Sequence, residues 1–266
     1  MSSFPYRQPT PSPTFNPDQY LIQVLRRQAV PTGDNSPAVK ALKVLNPIIR
    51  QWAHRYLGSV FASGSYAKGT AVNSGTDIDL FISLKHDTPA TLEDIYWSLF
   101  NFLKANGFDP RPQNVSIGIR LGSVDIDLIP GRRQGILGGD HSLWVRKQNT
   151  WKQTNVQRHF AYVKLYNRLP ETRLIKIWRN QWGLDFPSFY LEMSVIEAMK
   201  GSAVVTPSKR VIRVMEFLRD DFTTTRFVDP ANSNNIISDD LNATERKIIA
   251  DAADRVLRGN WHDFVK

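Results

Sequence analysis

A Gly64-Ser65 pair followed, eleven residues later, by Asp77-Ile78-Asp79 on an otherwise apolar run constrains this chain more than any other feature. Thr76 to Leu84 predicts a strand, and the strand period of two sets Asp77 and Asp79 on one face with Ile78, Leu80 and Ile82 on the other. Two carboxylates ~7 Å apart on one face, at ~3.3 Å per residue, repel each other unless a divalent cation lies between them. Magnesium suits that place, because it takes a few carboxylates together with phosphate oxygens rather than an all-protein cage. Upstream, Val60-Phe61-Ala62 predicts a short strand that runs into Ser63-Gly64-Ser65, and Tyr66 to Val72 a following helix. Backbone N–H groups at such a turn, with the Ser65 hydroxyl beside them, suit a triphosphate.

A site of this kind needs a third carboxylate, and Val124-Asp125-Ile126-Asp127-Leu128-Ile129-Pro130 offers two. Asn114 to Leu121 alternates as a strand, and Gly122-Ser123 makes a two-residue hairpin turn before the return strand that carries the acids. In that register Leu121 faces Val124, so Arg120 faces Asp125 and the two are expected to form a cross-strand ion pair. Asp127 then faces Gly118, which has no side chain to crowd a metal.

The pattern Gly64-Ser65, Asp77-Ile78-Asp79 and Asp127-Leu128-Ile129-Pro130 resembles the DNA-polymerase-beta-like nucleotidyltransferase superfamily. Within it the chain is similar to the branch that holds oligoadenylate synthases, cyclic GMP-AMP synthase, bacterial cyclic-oligonucleotide synthases and archaeal CCA-adding enzymes. Later segments extend the likeness over most of residues 36–245. Glu171 to Trp178 resembles the helix bearing a triphosphate-contacting lysine, here Lys176. Phe186 to Glu192 resembles the next turn and helix and contributes Ser188, and Phe227 to Ile236 resembles a late Asn-rich segment. The resemblance implies that Asp77, Asp79 and Asp127 hold Mg2+ (or Mn2+) and carry the catalysis. It implies that Gly64, Ser65, Lys176 and Ser188 contact the nucleotide, with Lys68 one turn past Ser65 assisting.

Composition sets further bounds. With no cysteine there are no disulfides, no thiol chemistry and no zinc insertion of the kind found in animal cyclic GMP-AMP synthases. The five histidines (His54, His86, His141, His159, His262) are scattered without ligand spacing and read as ordinary residues. No secretory signal and no membrane-length apolar run is visible, so a cytoplasmic protein is expected. The net charge of +9, with doublets such as Arg26-Arg27, Arg132-Arg133, Arg146-Lys147 and Lys209-Arg210, suits nucleoside triphosphates and permits RNA or DNA as activator or acceptor.

The expected organisation is α+β. A flexible Pro-rich tail (1–16) precedes a catalytic lobe with a small mixed β-sheet (17–150), followed by a helical lobe (151–266), with the active site in the cleft between them. Helices are predicted over Asp18 to Gln28, from Pro37 behind a Ser36 cap, and over Leu92 to Ala105, closed by Gly107. Further helices are predicted over 155–168, 171–182, 187–200, 207–221 and 243–258, and 131–150 reads as a Gly-rich basic loop at the lobe junction. The end of the chain soon after the Asn-rich segment implies a minimal two-lobed enzyme without a tRNA-holding tail. Expected function is metal-dependent transfer of a nucleotidyl group from a triphosphate such as ATP to a hydroxyl. The foremost reading is a bacterial synthase of cyclic or linear oligonucleotide signals in antiviral defence. The alternatives are an RNA 3′-end nucleotidyltransferase, an enzyme that nucleotidylates a protein or small molecule, and a silent nucleotide or RNA binder.

Overall fold

The computed structural model describes residues 15–75 and 77–266. Most of the expected tail, and Thr76 at the head of the predicted acid-bearing strand, lie outside the described residues.

Among the described residues the first two α-helices are α1 (Pro17–Arg27), whose Asn16 cap accepts from the Gln19 N–H, and α2 (Pro37–Ala53), whose Ser36 cap accepts from the Val39 N–H. Each begins with the proline that the missing N–H of a first turn tolerates. Strand β1 (Leu57–Ala62) then runs into α3 (Gly64–Lys68), a short turn of helix. The sequence predicted a helix over 66–72, but Gly69, in the left-handed region at φ 72°, ends it after Lys68. Next come β2 (Ile78–Leu84), α4 (Leu92–Ala105), β3 (Arg111–Pro112), β4 (Ile117–Leu121) and β5 (Val124–Arg133).

Residues 131–150 are not the loop expected from their glycines and basic residues. β5 continues through Arg133, β6 (His141–Val145) pairs with its far half, and β7 (Thr150–Thr154) completes a seven-stranded sheet. Gly131 is there because of packing: a Cβ would sit 2.6 Å from the Phe81 ring. The sheet is mixed, with order β1-β2-β5-β4-β3, the β6–β7 ribbon added beside β5, and β2–β5 as its parallel pair.

Helices dominate the remainder: α5 (Val156–Tyr166), α6 (Leu169–Gln181), α7 (Ser188–Ala198) and α8 (Pro207–Asp220). A small hairpin, β8 (Val228–Asp229) with β9 (Asn232–Ile236), precedes α9 (Ala243–Arg258) and α10 (Trp261–Phe264). Two apolar cores result. In one, Leu45 and Ile49 of α2 and Ile95 and Leu99 of α4 cover the sheet residues Leu80, Ile82, Ile119 and Leu128. The other joins α6 to α9 through residues such as Trp178, Tyr190, Leu218 and Ala253. Leu21 and Val24 of α1 belong to this second core, although the sequence grouped residues 17–150 with the sheet.

Candidate active site

Parallel pairing of β2 with β5 brings the acids together. Asp79 and Asp127 occupy the same rung, and Asp77 stands just before β2. Gly64 starts α3 directly against them, at φ 57°, and a Cβ there would lie 1.7 Å from Asp79 Oδ2. No other residue type fits that contact. The turn is tied to the strand by the Ser63 N–H, which donates to the Asp79 carbonyl over 2.8 Å.

All three carboxyls are held above their ordinary range. Burial, then the Asp127 charge, pushes Asp79 up to about 6 against the pull of Lys68. Burial and the Asp77 charge raise Asp127, opposed by hydrogen bonds from Gln113 and Ser116, and burial and Asp125 raise Asp77. Between about pH 4 and pH 6 the folded chain therefore keeps a proton on Asp79 that the unfolded chain has released. The protein without added metal is expected to lose stability as pH rises through that window, by about 3 kcal/mol at most. Thermal melts across this range check the sign, and a rise in stability with pH would contradict it.

Asp127 has supports that the sequence did not announce. Gln113 Nε2 donates to Asp127 Oδ1 over 2.8 Å, Ser116 Oγ reaches Asp127 Oδ2 at 3.4 Å, and Ser116 also donates to Gln113 Oε1 over 2.6 Å. The room left by Gly118 opposite Asp127 is filled by Gln113, whose Nε2 would lie 2.9 Å from a Cβ at that glycine. Asp125 does pair in register with Arg120, yet its ion pair is with Arg111 on β3, at 2.6 Å. The expected Arg120–Asp125 bridge is thus corrected. Both partners of the real pair are well exposed.

Cations approach from the helical side. Glu192 of α7 is fully buried and shared: Oε2 accepts from Lys68 Nζ over 2.5 Å, while Oε1 accepts from Lys176 Nζ and from the Thr70 hydroxyl, each over 2.7 Å. Burial alone would raise the Glu192 carboxyl, but Lys176 and Lys68 outweigh it and hold it at about 2. Burial in turn lowers Lys176, opposed by Glu192. Arg179 of α6, which the sequence reading passed over, donates to Ser188 Oγ and to the Phe186 carbonyl, each over 2.9 Å.

The eight residues picked out from the sequence (Gly64, Ser65, Lys68, Asp77, Asp79, Asp127, Lys176 and Ser188) all line one cleft of about 320 Å³, beside Arg179 and Phe189. A second cavity of about 360 Å³ meets it at Gly64, Lys68, Asp79 and Phe189. Its walls include Phe81, Ile129, Leu143 and Phe160. At its polar end His159 Nε2 lies 2.7 Å from Asp229 Oδ1, and Asn235 donates to Asp229 Oδ2 over 2.9 Å. These pairs give the late Asn-rich segment a place beside the cleft.

A divalent cation suits this donor set. Among the described residues no three His, Asp or Glu side chains close into a metal cage. Magnesium does not require one, since it completes its shell with water and substrate oxygens. Three oxygen-donating carboxyls, all raised by burial and by a neighbouring acid, line the same cleft.

Residues 45–111 match the nucleotidyltransferase domain family. The cyclic AMP-AMP-AMP synthase of Escherichia coli (strain MS 115-1) is 26% identical over 155 residues, covering 53% of this chain. The match spans about half, 48%, of that relative's length. Among solved structures, the E. coli MS115-1 CdnC:HORMA-deltaN complex superposes with a TM-score of 0.76 at 19% identity, covering 91% of this chain and 89% of that one. The Bradyrhizobium diazoefficiens CD-NTase CdnG in complex with GTP superposes at 0.75 with 14% identity, covering 92% and 91%. The chain has the fold of these CD-NTase structures, and residues 45–111 are similar to a nucleotidyltransferase domain. The segment matched by the family includes the Gly64 turn and β2, but β5 with Asp127 follows it. Among the described residues no helix is long and apolar enough to cross a membrane.

Proposed function

We propose that this nucleotidyltransferase moves a nucleotidyl group from a nucleoside triphosphate to a hydroxyl, releases pyrophosphate, and makes a cyclic or linear oligonucleotide signal. The observation that carries the proposal is the shared rung of Asp79 and Asp127, with Asp77 beside it, against the Gly64 turn and a cationic wall. Asp77, Asp79 and Asp127 would hold Mg2+. When bound, it supplies charge neutralisation on the triphosphate and a lower pKa for the attacking hydroxyl. Asp127, steadied by Gln113 and Ser116, accepts the proton of that hydroxyl as its oxygen bonds to the α-phosphorus and pyrophosphate leaves. Gly64 and Ser65 cradle the β- and γ-phosphates, and the positive charge of Lys68 and Lys176 offsets theirs. The apolar inner cavity takes a base against Phe160 or Phe189.

ATP is the first substrate to try, because the E. coli relative is named for a product built of AMP units. A role in antiviral defence belongs to the same proposal. The test is incubation with each labelled triphosphate and Mg2+, with and without RNA, followed by mass analysis. Pyrophosphate and short oligonucleotides formed without RNA are expected. Labelling of RNA 3′ ends alone would favour the tailing reading, and no pyrophosphate under any condition would favour a silent binder. Magnesium is also expected to raise the melting temperature more at pH 8 than at pH 5, where Asp79 is protonated. Equal shifts at both values would remove Asp79 from the metal set.

A further inference from the structure

We infer that Asn235 selects the base of the bound triphosphate by accepting a hydrogen bond from its exocyclic amino group, with Asp229 fixing the amide in the orientation this requires. The inference rests on the nucleotide reading above and names what the site recognises in the base: the amine of adenine or cytosine, against the carbonyl that guanine or uracil carries in its place.

A short chain of contacts leads from the cleft to these residues. Phe189 belongs to both the triphosphate cleft and the inner cavity, so a base entering the cavity from the phosphates passes this ring. The His159 ring lies against it, with centroids 4.4 Å apart, and Nε2 of the same imidazole is 2.7 Å from Asp229 Oδ1. Asn235 stands on the other oxygen of that carboxyl, and His159, Asp229 and Asn235 all line the cavity.

Asp229 decides which atoms remain for a ligand. It is 3% exposed, and its oxygens take three donors: His159 Nε2 and the Ala231 N–H on Oδ1, and the Asn235 amide on Oδ2. Burial alone would raise this carboxyl, but those donors hold it below its ordinary value, so it is an anion at neutral pH. A carboxylate only accepts. Asn235 must therefore turn its NH2 group to Asp229, and the polar atom left for the cavity is Oδ1, which accepts from no other described residue. Adenine and cytosine can donate their amino group to such an oxygen, whereas guanine O6 or uracil O4 in the same place would meet it lone pair to lone pair. A pair that served only to brace the β8–β9 hairpin would treat every base alike, and the two roles part on that point.

The probes are two pairs of triphosphates that differ at this amine: ATP with purine riboside triphosphate, and CTP with UTP. Initial rates of pyrophosphate release give kcat/KM for the wild type, Asn235→Leu, Asn235→Thr and Asp229→Asn, and calorimetry gives affinities, with melts to establish folding. In at least one pair the wild type should prefer the amino-bearing member about tenfold or more, and the pair that shows it tells adenine from cytosine. Asn235→Leu should bring that ratio close to one. Asn235→Thr, whose hydroxyl can donate to Asp229 and still accept, should restore most of it. Asp229→Asn, which no longer dictates the orientation of the amide, should fall between. A wild type that shows no preference in either pair, or that prefers GTP to ATP, overturns the assignment without any variant. So does an Asn235→Leu that weakens both members of a pair equally. If no pyrophosphate forms, the affinities still test the reading of the base, so failure of transfer is told apart from failure of recognition.

Discussion

Asp127→Asn and Asp79→Asn are each expected to reduce nucleotidyl transfer on the order of 10³-fold or more, while the protein stays folded. Each replaces one of two carboxyls that stand on the same rung and are raised by burial and by neighbouring acids, so each relieves repulsion in the absence of metal. Their melting temperatures at pH 8 without metal should equal or exceed that of the wild type. Asp125→Asn is the control on the same strand. Its partner Arg111 is well exposed, so its loss should cost at most about 1 kcal/mol and leave appreciable activity. Arg111→Ala should reproduce that effect, whereas Arg120→Ala should not. Pyrophosphate assays with melts on all five variants decide the matter, and an active Asp127→Asn beside an inactive Asp125→Asn would reverse the assignment of the third acid.

The second large effect concerns Glu192. Removing one member of a buried ion pair leaves the other charge uncompensated, typically at a cost of about 3–5 kcal/mol. Glu192→Ala strips Lys68, Lys176 and Thr70 of their shared acceptor at once and should fall at the upper end. Lys176→Met should be milder, because Lys68 still faces the carboxylate. The Lys176→Met/Glu192→Gln double variant should then be more stable than the sum of the singles predicts, a coupling that urea melts on the full cycle measure. Additive losses would show that the three groups do not act as a unit. For the same reason Lys176→Ala cannot be read as a simple deletion of a phosphate contact: the ammonium that lines the cleft also balances the α7 carboxylate.

What was legible beforehand was what neighbouring residues decide. The alternation of Asp77 and Asp79 with apolar residues, the Gly122-Ser123 turn and the facing of Asp127 by Gly118 are local, and the pairing has that register. The supports were hidden because sequence does not place them near what they touch. Gln113 lies 14 residues from Asp127, and Glu192 lies 122 from Thr70 and 124 from Lys68. Asp125 shows the limit within a hairpin, since register named Arg120 but a short third strand brought in Arg111. The ribbon of β6 and β7 was misread because Gly131 and the glycines from Gly135 to Gly139 look like loop chemistry. His141, Leu143 and Val145 nevertheless alternate as buried positions, and Gly131 marks close approach to Phe81.

The placement of α1 has a consequence for handling the molecule in pieces. From α1 the described chain leaves the helical core to build the sheet and returns after β7, so its two halves are interlaced rather than strung in series. The crossing is anchored at Gln28, whose carbonyl and side chain accept from the backbone N–H groups of Asn73 and Ser74. A fragment beginning at residue 151 would lack Leu21 and Val24 and expose the face they cover. A graft of the sheet half onto another helical partner would likewise have to leave residues 17–27 behind. The working interchangeable unit is therefore discontinuous in sequence, and cassette swaps between relatives of this fold should be cut on both sides of α1.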